Sequence, residues 1–400
     1  MGPALSFIGR LPEAERLRAE LDLRLMEAMA VTVLHGIASK ERVSCSERIC
    51  QLSEPLGDTL ALFRGLLNLG YVHVHRFEAR SAVEVGRRCL MLVEHSLGKE
   101  TLPAAYALLT TAYYRAGNLH EAAKAGIAAM TGFTSPNQRI AGGLVIMNLW
   151  AIAPASLSIV EHALGRPDQA LKLAYDALSR ARQLKHPLSL AAVMILVGVL
   201  HFQRDEPEAT RELVEAVIEL AEEHGLAQFA LLGRALRAWT IFEVGQSSKA
   251  VTDLETDTAS LPTLFNISKA IVLARLYMRV SRIDEAFAII NEELERSDRL
   301  GTLQEAAELH RLKGEAILIH DSSAIEEAES TFHEAIEIAR DQSAKWWELR
   351  ATLSLARLLI KRGRRDEARS MLAEIYNWFT EGFDTADLKD ANALLDELKS

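Results

Sequence analysis

The sequence predicts an all-α fold in which antiparallel helical hairpins stack into a right-handed superhelical solenoid. Composition is the first reason: the 400 residues include only 10 Pro and 22 Gly, while 49% are hydrophobic, which favours long helices over loops. The second reason is a short pattern that recurs at intervals of roughly 40 residues. Third, no Gly/Ser-rich or Pro-rich linker divides the chain, so we expect one continuous solenoid over residues 1–400.

The recurring pattern is a turn with Gly, Asn or Asp, an acidic residue, an Ala, and small or apolar residues four and seven positions later. The clearest copies are GRPDQALKLAYDAL at 165–178, AIEEAESTFHEAIEIA at 324–339 and GRRDEARSMLAEI at 363–375. Positions i, i+4 and i+7 share one helical face, where a small residue lets a neighbouring helix approach closely. We therefore interpret the alanine as the packing anchor of each unit. The predicted anchors are Ala82, Ala122, Ala170, Ala209, Ala250, Ala286, Ala328 and Ala368.

A more apolar helix precedes each anchor and completes the hairpin. One example is SKAIVLARLYMRVSR at 268–282, in which Leu273, Ala274 and Tyr277 supply a large, a small and an aromatic residue. A tetratricopeptide repeat requires that order, and longer helices here stretch the unit beyond the usual length of about 34 residues. A globular helical bundle is the alternative. Because a bundle needs no fixed period, the repeat is the favoured interpretation.

The two ends of the chain are predicted to differ from the regular repeats at 81–383. Residues 12–80 have the pattern of degenerate N-terminal hairpins. Residues 384–400 predict a C-terminal capping helix, because Asp384 or Thr385 is a good N-cap and the opposite face is charged. The apolar face of this helix would consist of Leu388, Ala391, Leu395 and Leu398.

Charge and motifs argue against several functional classes. The 55 acidic and 45 basic residues give a net charge of -10, which disfavours nucleic-acid binding. The sequence has no phosphate-binding loop and no HExxH, CxxC, GxSxG or GxGxxG motif, so we expect no enzyme activity, cofactor or metal site. Cys45, Cys50 and Cys89 are too few and too irregular for a disulfide framework, which favours the cytoplasm. The uncharged run at 140–160 contains Pro154 and is interpreted as a buried helix, with no membrane partner.

The concave surface of the solenoid is the predicted place for function. Counting back from the anchors places Tyr71, Thr111 and Tyr114 near its front. Toward its back the same count places six basic or potentially basic residues: Arg275, His310, Lys313, His320, Arg350 and Arg357. Cations gathered on a concave wall suit an acidic peptide or another anionic ligand. The alternative is that these side chains pair with nearby acidic residues such as Glu308 and Glu315.

Several segments also resemble a known protein family. They are AELHRLKGE at 307–315, AKWWELRATLSLARLL at 344–359 and YNWFTEGFDTADLKDANALLDEL at 376–398. These resemble the C-terminal tetratricopeptide-repeat region of bacterial signalling proteins that join a class III adenylate or guanylate cyclase, a P-loop ATPase domain and helical repeats. Weaker similarity at 47–82 and 165–191 extends the resemblance over nearly the whole chain. The cyclase and ATPase domains are missing here, so no catalytic residue carries over.

The resemblance implies the sensor or protein-interaction arm of a signalling or transcription-regulating ATPase. We therefore predict a non-catalytic, cytoplasmic regulatory module that binds a protein partner through its concave groove. A cyclase, an ATPase or a transcription regulator would be the implied partner. The alternative is a small-molecule sensor arm, similar in architecture to that of maltose-activator-type regulators. A cyclase- or ATPase-associated activity is a third, remote alternative.

Overall fold

The computed structural model describes residues 12–135, 147–245, 251–252, 255–256 and 266–399. Within these ranges the chain forms 18 α-helices and no strand. The predicted all-α class is therefore confirmed.

Helices of the N-terminal half have the following bounds: α1 (Glu13–His35), α2 (Lys40–Leu56), α3 (Thr59–His75), α4 (Ala79–Ser96), α5 (Leu102–Arg115), α6 (Leu119–Gly132), α7 (Leu149–Ala163), α8 (Pro167–Leu184) and α9 (Pro187–Gln203). Those of the C-terminal half are α10 (Pro207–Glu223), α11 (Ala227–Gly245), α12 (Asn266–Arg279), α13 (Ile283–Leu300), α14 (Ala306–His320), α15 (Ile325–Asp341), α16 (Lys345–Lys361), α17 (Arg365–Trp378) and α18 (Ala386–Lys399). Successive helices pack against each other and against the next hairpin, which produces a helical solenoid.

A left-handed backbone turn joins the two helices of most hairpins. The residues with positive φ at six of these turns are Phe77, Gly117, Gly165, Asp205, Ser281 and Gly363. At each turn the amide of the following residue donates to a carbonyl near the end of the first helix, as Arg166 N does to the Glu161 oxygen at 2.9 Å. This bond satisfies a carbonyl that the helix end would otherwise leave without a partner.

The packing anchors follow these turns at a constant distance. Six of the predicted anchors are fully buried: Ala82, Ala122, Ala170, Ala286, Ala328 and Ala368. The prediction of Ala209 was wrong by one position, because Ala209 is half-buried and Thr210 is the buried residue. Threonine is tolerated there because its hydroxyl donates to the Glu206 carbonyl at 2.9 Å. The anchor predicted at Ala250 lies outside the residues that the structure describes.

Helix α18 covers the C-terminal end of the stack. Its buried residues are Leu388, Ala391, Leu395 and Leu398, the four that the sequence pattern places on one face. Thr385, just before the helix, is buried, and its hydroxyl donates to the Gly382 carbonyl at 2.6 Å. In the part of the chain that the structure covers, no helix has both the length and the apolar character needed to cross a membrane.

The two halves of the solenoid touch where the α3–α4 turn meets the α13–α14 connection. Leu303 N donates to the Arg115 carbonyl at 2.7 Å, and the Thr302 hydroxyl donates to the Phe77 carbonyl. The Phe77 ring lies 4.1 Å from the Arg115 guanidinium carbon and 5.2 Å from that of Arg296, measured to the ring centroid. We call these five residues the seam.

Helices α7 and α16 form a second contact between the halves. The rings of His162 and Trp346 lie 4.4 Å apart and both are fully buried. Neither ring nitrogen of His162 has a hydrogen-bond partner among the described residues. Burial, together with the neighbouring positive charges of Arg204 and Arg350, holds the pKa of His162 well below its ordinary value. His162 is therefore a neutral packing residue at neutral pH.

Candidate interaction groove

A cavity of about 400 Å³ opens where the α9–α10 turn faces helices α12, α14, α16 and α18. We call it the groove. Its lining residues are Asp205, Arg275, Met278, Arg279, Glu308, Arg311, Leu312, Glu315, Ile319, Arg350, Leu353, Ser354, Arg357, Asp387 and Asp390. Another cavity, of about 630 Å³, lies between α1 and α2 at the N-terminal end. We take the groove as the candidate site because it collects ten charged residues from the α9–α10 turn and four helices of the C-terminal half.

Helix α14 presents one face, with charged and apolar residues, to the groove. Arg311, Glu315 and Ile319 recur at four-residue intervals, which places them on one helical face. The Arg311 guanidinium donates to both Glu308 oxygens at 2.7 Å and also contacts Glu315. Burial would raise the pKa of Glu308, but the charge of Arg311 and its hydrogen bonds bring that pKa below its ordinary value. The Glu308–Arg311 pair is therefore ionised and satisfied.

Arg350 of α16 joins the two halves inside the groove. Its Nη2 donates to the Gln203 carbonyl at 2.7 Å, and its Nε and Nη2 donate to Asp387 of α18 at 2.9–3.0 Å. The face of Trp347 lies 5.3 Å from the guanidinium carbon. The side chains of Arg350 and Asp387 are only 10% and 15% exposed. Together with Glu308 and Arg311 they form what we call the deep row.

A more accessible ion pair lies two helical turns further along α16. Arg357 pairs there with Asp390 of α18, and the two side chains are 47% and 45% exposed. We call Arg357 and Asp390 the rim pair. On the opposite wall Arg275 pairs with Asp205 of the α9–α10 turn at 3.0 Å. The groove thus changes from buried pairs with several partners to a half-exposed pair at its edge.

The charges of the groove are balanced. Among the described residues that line it, five are arginines and five are carboxylates, so their formal charges cancel. The sequence leaves two alternatives, a basic wall and pairing with nearby acidic residues. In the groove, Arg275, Arg350 and Arg357 pair with carboxylates that lie far from them in the sequence. Asp205 and Asp387, for example, reach the groove from a turn and from the capping helix.

The structure brings only three of the predicted concave residues into the groove: Arg275, Arg350 and Arg357. His310 instead faces Glu334 of α15, with 3.2 Å between Nδ1 and Oε2. His320 is exposed, and its ring lies 5.9 Å from that of Phe287. Lys313 is half-buried and does not line the groove either. Helix α14 therefore meets the groove with a different face from the one that the count from the anchors assigns to it.

The two predicted tyrosines are packing residues. Tyr71 of α3 is half-buried against the hydrophobic core, and burial raises its pKa. Tyr114 of α5 is buried, and its hydroxyl accepts from Gln203 Nε2 at 3.2 Å. Gln203 Nε2 also lies 3.5 Å from Glu305 Oε1 of the C-terminal half. Contact between the halves therefore covers Tyr114, which the sequence places in an open groove.

Comparisons with known proteins support the fold. No protein-family model and no curated protein sequence matches the chain. A Rap protein complexed with competence and sporulation factor is similar in structure, with a TM-score of 0.52 and 12% identity over 81% of this chain and 98% of that chain. A human IFIT1 dimer with m7Gppp-AAAA has a TM-score of 0.46 and 14% identity, covering 96% and 85% of the two chains. At 12% identity the first likeness shows the fold alone, a tetratricopeptide-like helical solenoid.

Proposed function

We propose that this protein is a regulatory module that binds a polypeptide segment of a partner protein in the groove. The observation that carries the proposal is the arrangement of charge: the deep row is satisfied and little exposed, whereas the Arg357–Asp390 pair is half-exposed, and Ile319 of the same lining is 54% exposed. Exposed charges of both signs around an apolar side chain on a concave wall offer a polypeptide both ion pairs and an apolar contact.

The chemistry of the lining favours a polypeptide over a small inducer. Small-molecule sites are mostly apolar, with a few polar groups that orient the ligand. Here ten of the fifteen described lining residues are charged, and the side chain of Ile319 is exposed to solvent. The similar Rap protein is complexed with competence and sporulation factor, which supports a binding role for this fold. The resemblance of the C-terminal segments makes a signalling ATPase, a cyclase or a transcription regulator the class of partner to test first.

Site-specific photo-crosslinking tests this proposal in the source cells. One protein carries p-benzoylphenylalanine in place of Ile319, and a control carries it in place of Ile127 of α6, which is 48% exposed. We expect position 319 to crosslink a discrete polypeptide segment that position 127 does not, and Arg357→Glu to abolish that product. A synthetic peptide of the mapped segment should then bind the purified protein. Identical crosslinks at both positions, or a product that Arg357→Glu leaves unchanged, would exclude the groove.

A further inference from the structure

We infer that the segment bound in the groove carries an acidic and a basic side chain around one aliphatic residue, rather than a run of acidic residues. This inference rests on the proposed function and specifies its ligand. The six basic residues predicted from the sequence favour an acidic ligand. The structure favours a ligand of mixed charge.

The first argument is electrostatic. Because the described lining residues include five arginines and five carboxylates, their charges cancel and provide no net positive charge to attract an anionic ligand. The carboxylates of Asp205, Glu315 and Asp390 are also 35–45% exposed at the side chain, so an acidic segment would meet them directly. Like charges brought together in this way weaken binding. A segment with charges of both signs avoids that repulsion.

The second argument is that only some ion pairs of the groove can give up a partner to a bound ligand. Arg311 and Arg350 each have several acceptors; their partner Glu308 is buried, and the side chain of their partner Asp387 is only 15% exposed. Taking one of these arginines from its partner would leave a largely desolvated carboxylate without compensation, which is strongly unfavourable. A ligand that displaced the deep row would therefore lose more than it gained.

The rim pair has the opposite property. Arg357 and Asp390 are half-exposed, and ion pairs of this kind contribute little to stability because water solvates both charges. A ligand carboxylate that pairs with Arg357 leaves Asp390 without its partner, and Asp390 can then accept a hydrogen bond from a cationic group of the ligand. Replacing this one ion pair therefore requires two ligand charges of opposite sign.

The apolar part of the lining specifies the third feature of the ligand. Met278, Leu312 and Leu353 are buried, while Ile319 is exposed in the same groove. Apolar area on Ile319 that a ligand covers is removed from water, and this favours binding. An aliphatic side chain between the two charged ones would supply that contact.

Selection from a displayed library of random peptides tests the inference with purified full-length protein. The wild type is compared with the double variant Arg357→Asp/Asp390→Arg, which keeps the rim pair and the net charge but exchanges their positions. We expect the wild type to enrich peptides with an acidic and a basic residue around an aliphatic one. The double variant, checked by an unchanged urea-unfolding midpoint, should bind those peptides at least roughly tenfold more weakly.

Substitutions within an enriched peptide provide the second readout. Replacing its acidic residue by Gln and replacing its basic residue by Gln should each weaken binding roughly tenfold. Enrichment of purely acidic peptides, or equal binding to the double variant, would overturn this inference while leaving the proposed function intact. If the wild type enriches no peptide over Arg357→Glu, the proposed function itself fails.

Discussion

The seam and the groove join the same two halves of the solenoid through different kinds of contact. At the seam, a backbone amide, a hydroxyl and an aromatic ring contact the other half, and both Thr302 and Phe77 are only 1% exposed. In the groove, ion pairs surround a cavity and become exposed toward its edge. Polar groups that are buried and satisfied are costly to separate, whereas half-exposed ions exchange partners easily. The seam thus holds the halves together, and this leaves the rim pair free to be used in binding.

Breaking the seam at Phe77 should have the largest effect. Phe77 has a φ of 59°, which is unfavourable for a bulky residue and is compensated by the packing of its ring against Arg115 and Arg296. We expect Phe77→Ala to lower the free energy of unfolding by roughly 3–5 kcal/mol in urea titrations. Phe77→Gly should lose roughly 1 kcal/mol less than Phe77→Ala, because glycine adopts positive φ freely. If Phe77→Ala had the same free energy of unfolding as the wild type, the seam would not be what holds the halves together.

The contact between His162 and Trp346 should make stability depend on pH. The pKa of His162 is held well below its ordinary value, so below about pH 6.5 the unfolded chain takes up a proton that the folded chain excludes. Stability is therefore complete above that pH and is lost as the pH falls. Between pH 7 and pH 5 the stability advantage of the wild type over His162→Leu should shrink by roughly 2 kcal/mol. Parallel pH profiles of the two proteins would contradict the neutral state of His162.

The hydroxyl of Thr302 is a smaller test of the seam. Thr302→Val keeps the shape of the side chain but leaves the buried Phe77 carbonyl without this donor. We expect a loss of roughly 1–2 kcal/mol in the free energy of unfolding. Thr302→Ser retains the donor and should lose less. A larger loss for Ser than for Val would show that the methyl group matters here and that the hydrogen bond does not.

The rim pair should show the smallest effect on stability. Arg357→Ala is expected to change the free energy of unfolding by less than about 1 kcal/mol, because both partners are half-exposed. The same variant should weaken capture of the crosslinked partner at least roughly tenfold. Arg88→Ala is a matched control, since Arg88 and Glu54 form a similarly exposed ion pair outside the groove at 3.0 Å. Equal loss of partner binding in both variants would indicate non-specific electrostatics.

The repeats were predictable because the distance from each turn to its anchor is constant. Ala170 and Ala368, for example, follow the left-handed Gly165 and Gly363 by the same number of residues. The exception follows the turn at Asp205, where the residue at the same distance is Thr210 rather than an alanine. Its hydroxyl donates to the Glu206 carbonyl, which allows burial there, but a search for alanine misses it. Identity of the anchor residue is thus a weaker signal than its distance from the turn.

The groove was predictable only in part. Glu308 and Glu315 lie three and four residues from Arg311, so local spacing indicates those ion pairs. Asp387 and Asp205 lie 37 and 70 residues from Arg350 and Arg275, their respective partners. These separations depend on how far the solenoid turns before its halves meet, which the repeat pattern does not specify. The balanced charge of the groove therefore becomes visible only in three dimensions.

Two double-mutant cycles measure most directly whether the rim pair is exchangeable while the deep row is structural. One cycle truncates Arg350 and Asp387 to alanine, singly and together, and the other truncates Arg357 and Asp390. The first should give a coupling free energy of unfolding of roughly 2–3 kcal/mol and the second less than about 1 kcal/mol. Equal coupling energies in the two cycles would contradict the account, because the rim pair would then be as costly to separate as the buried one.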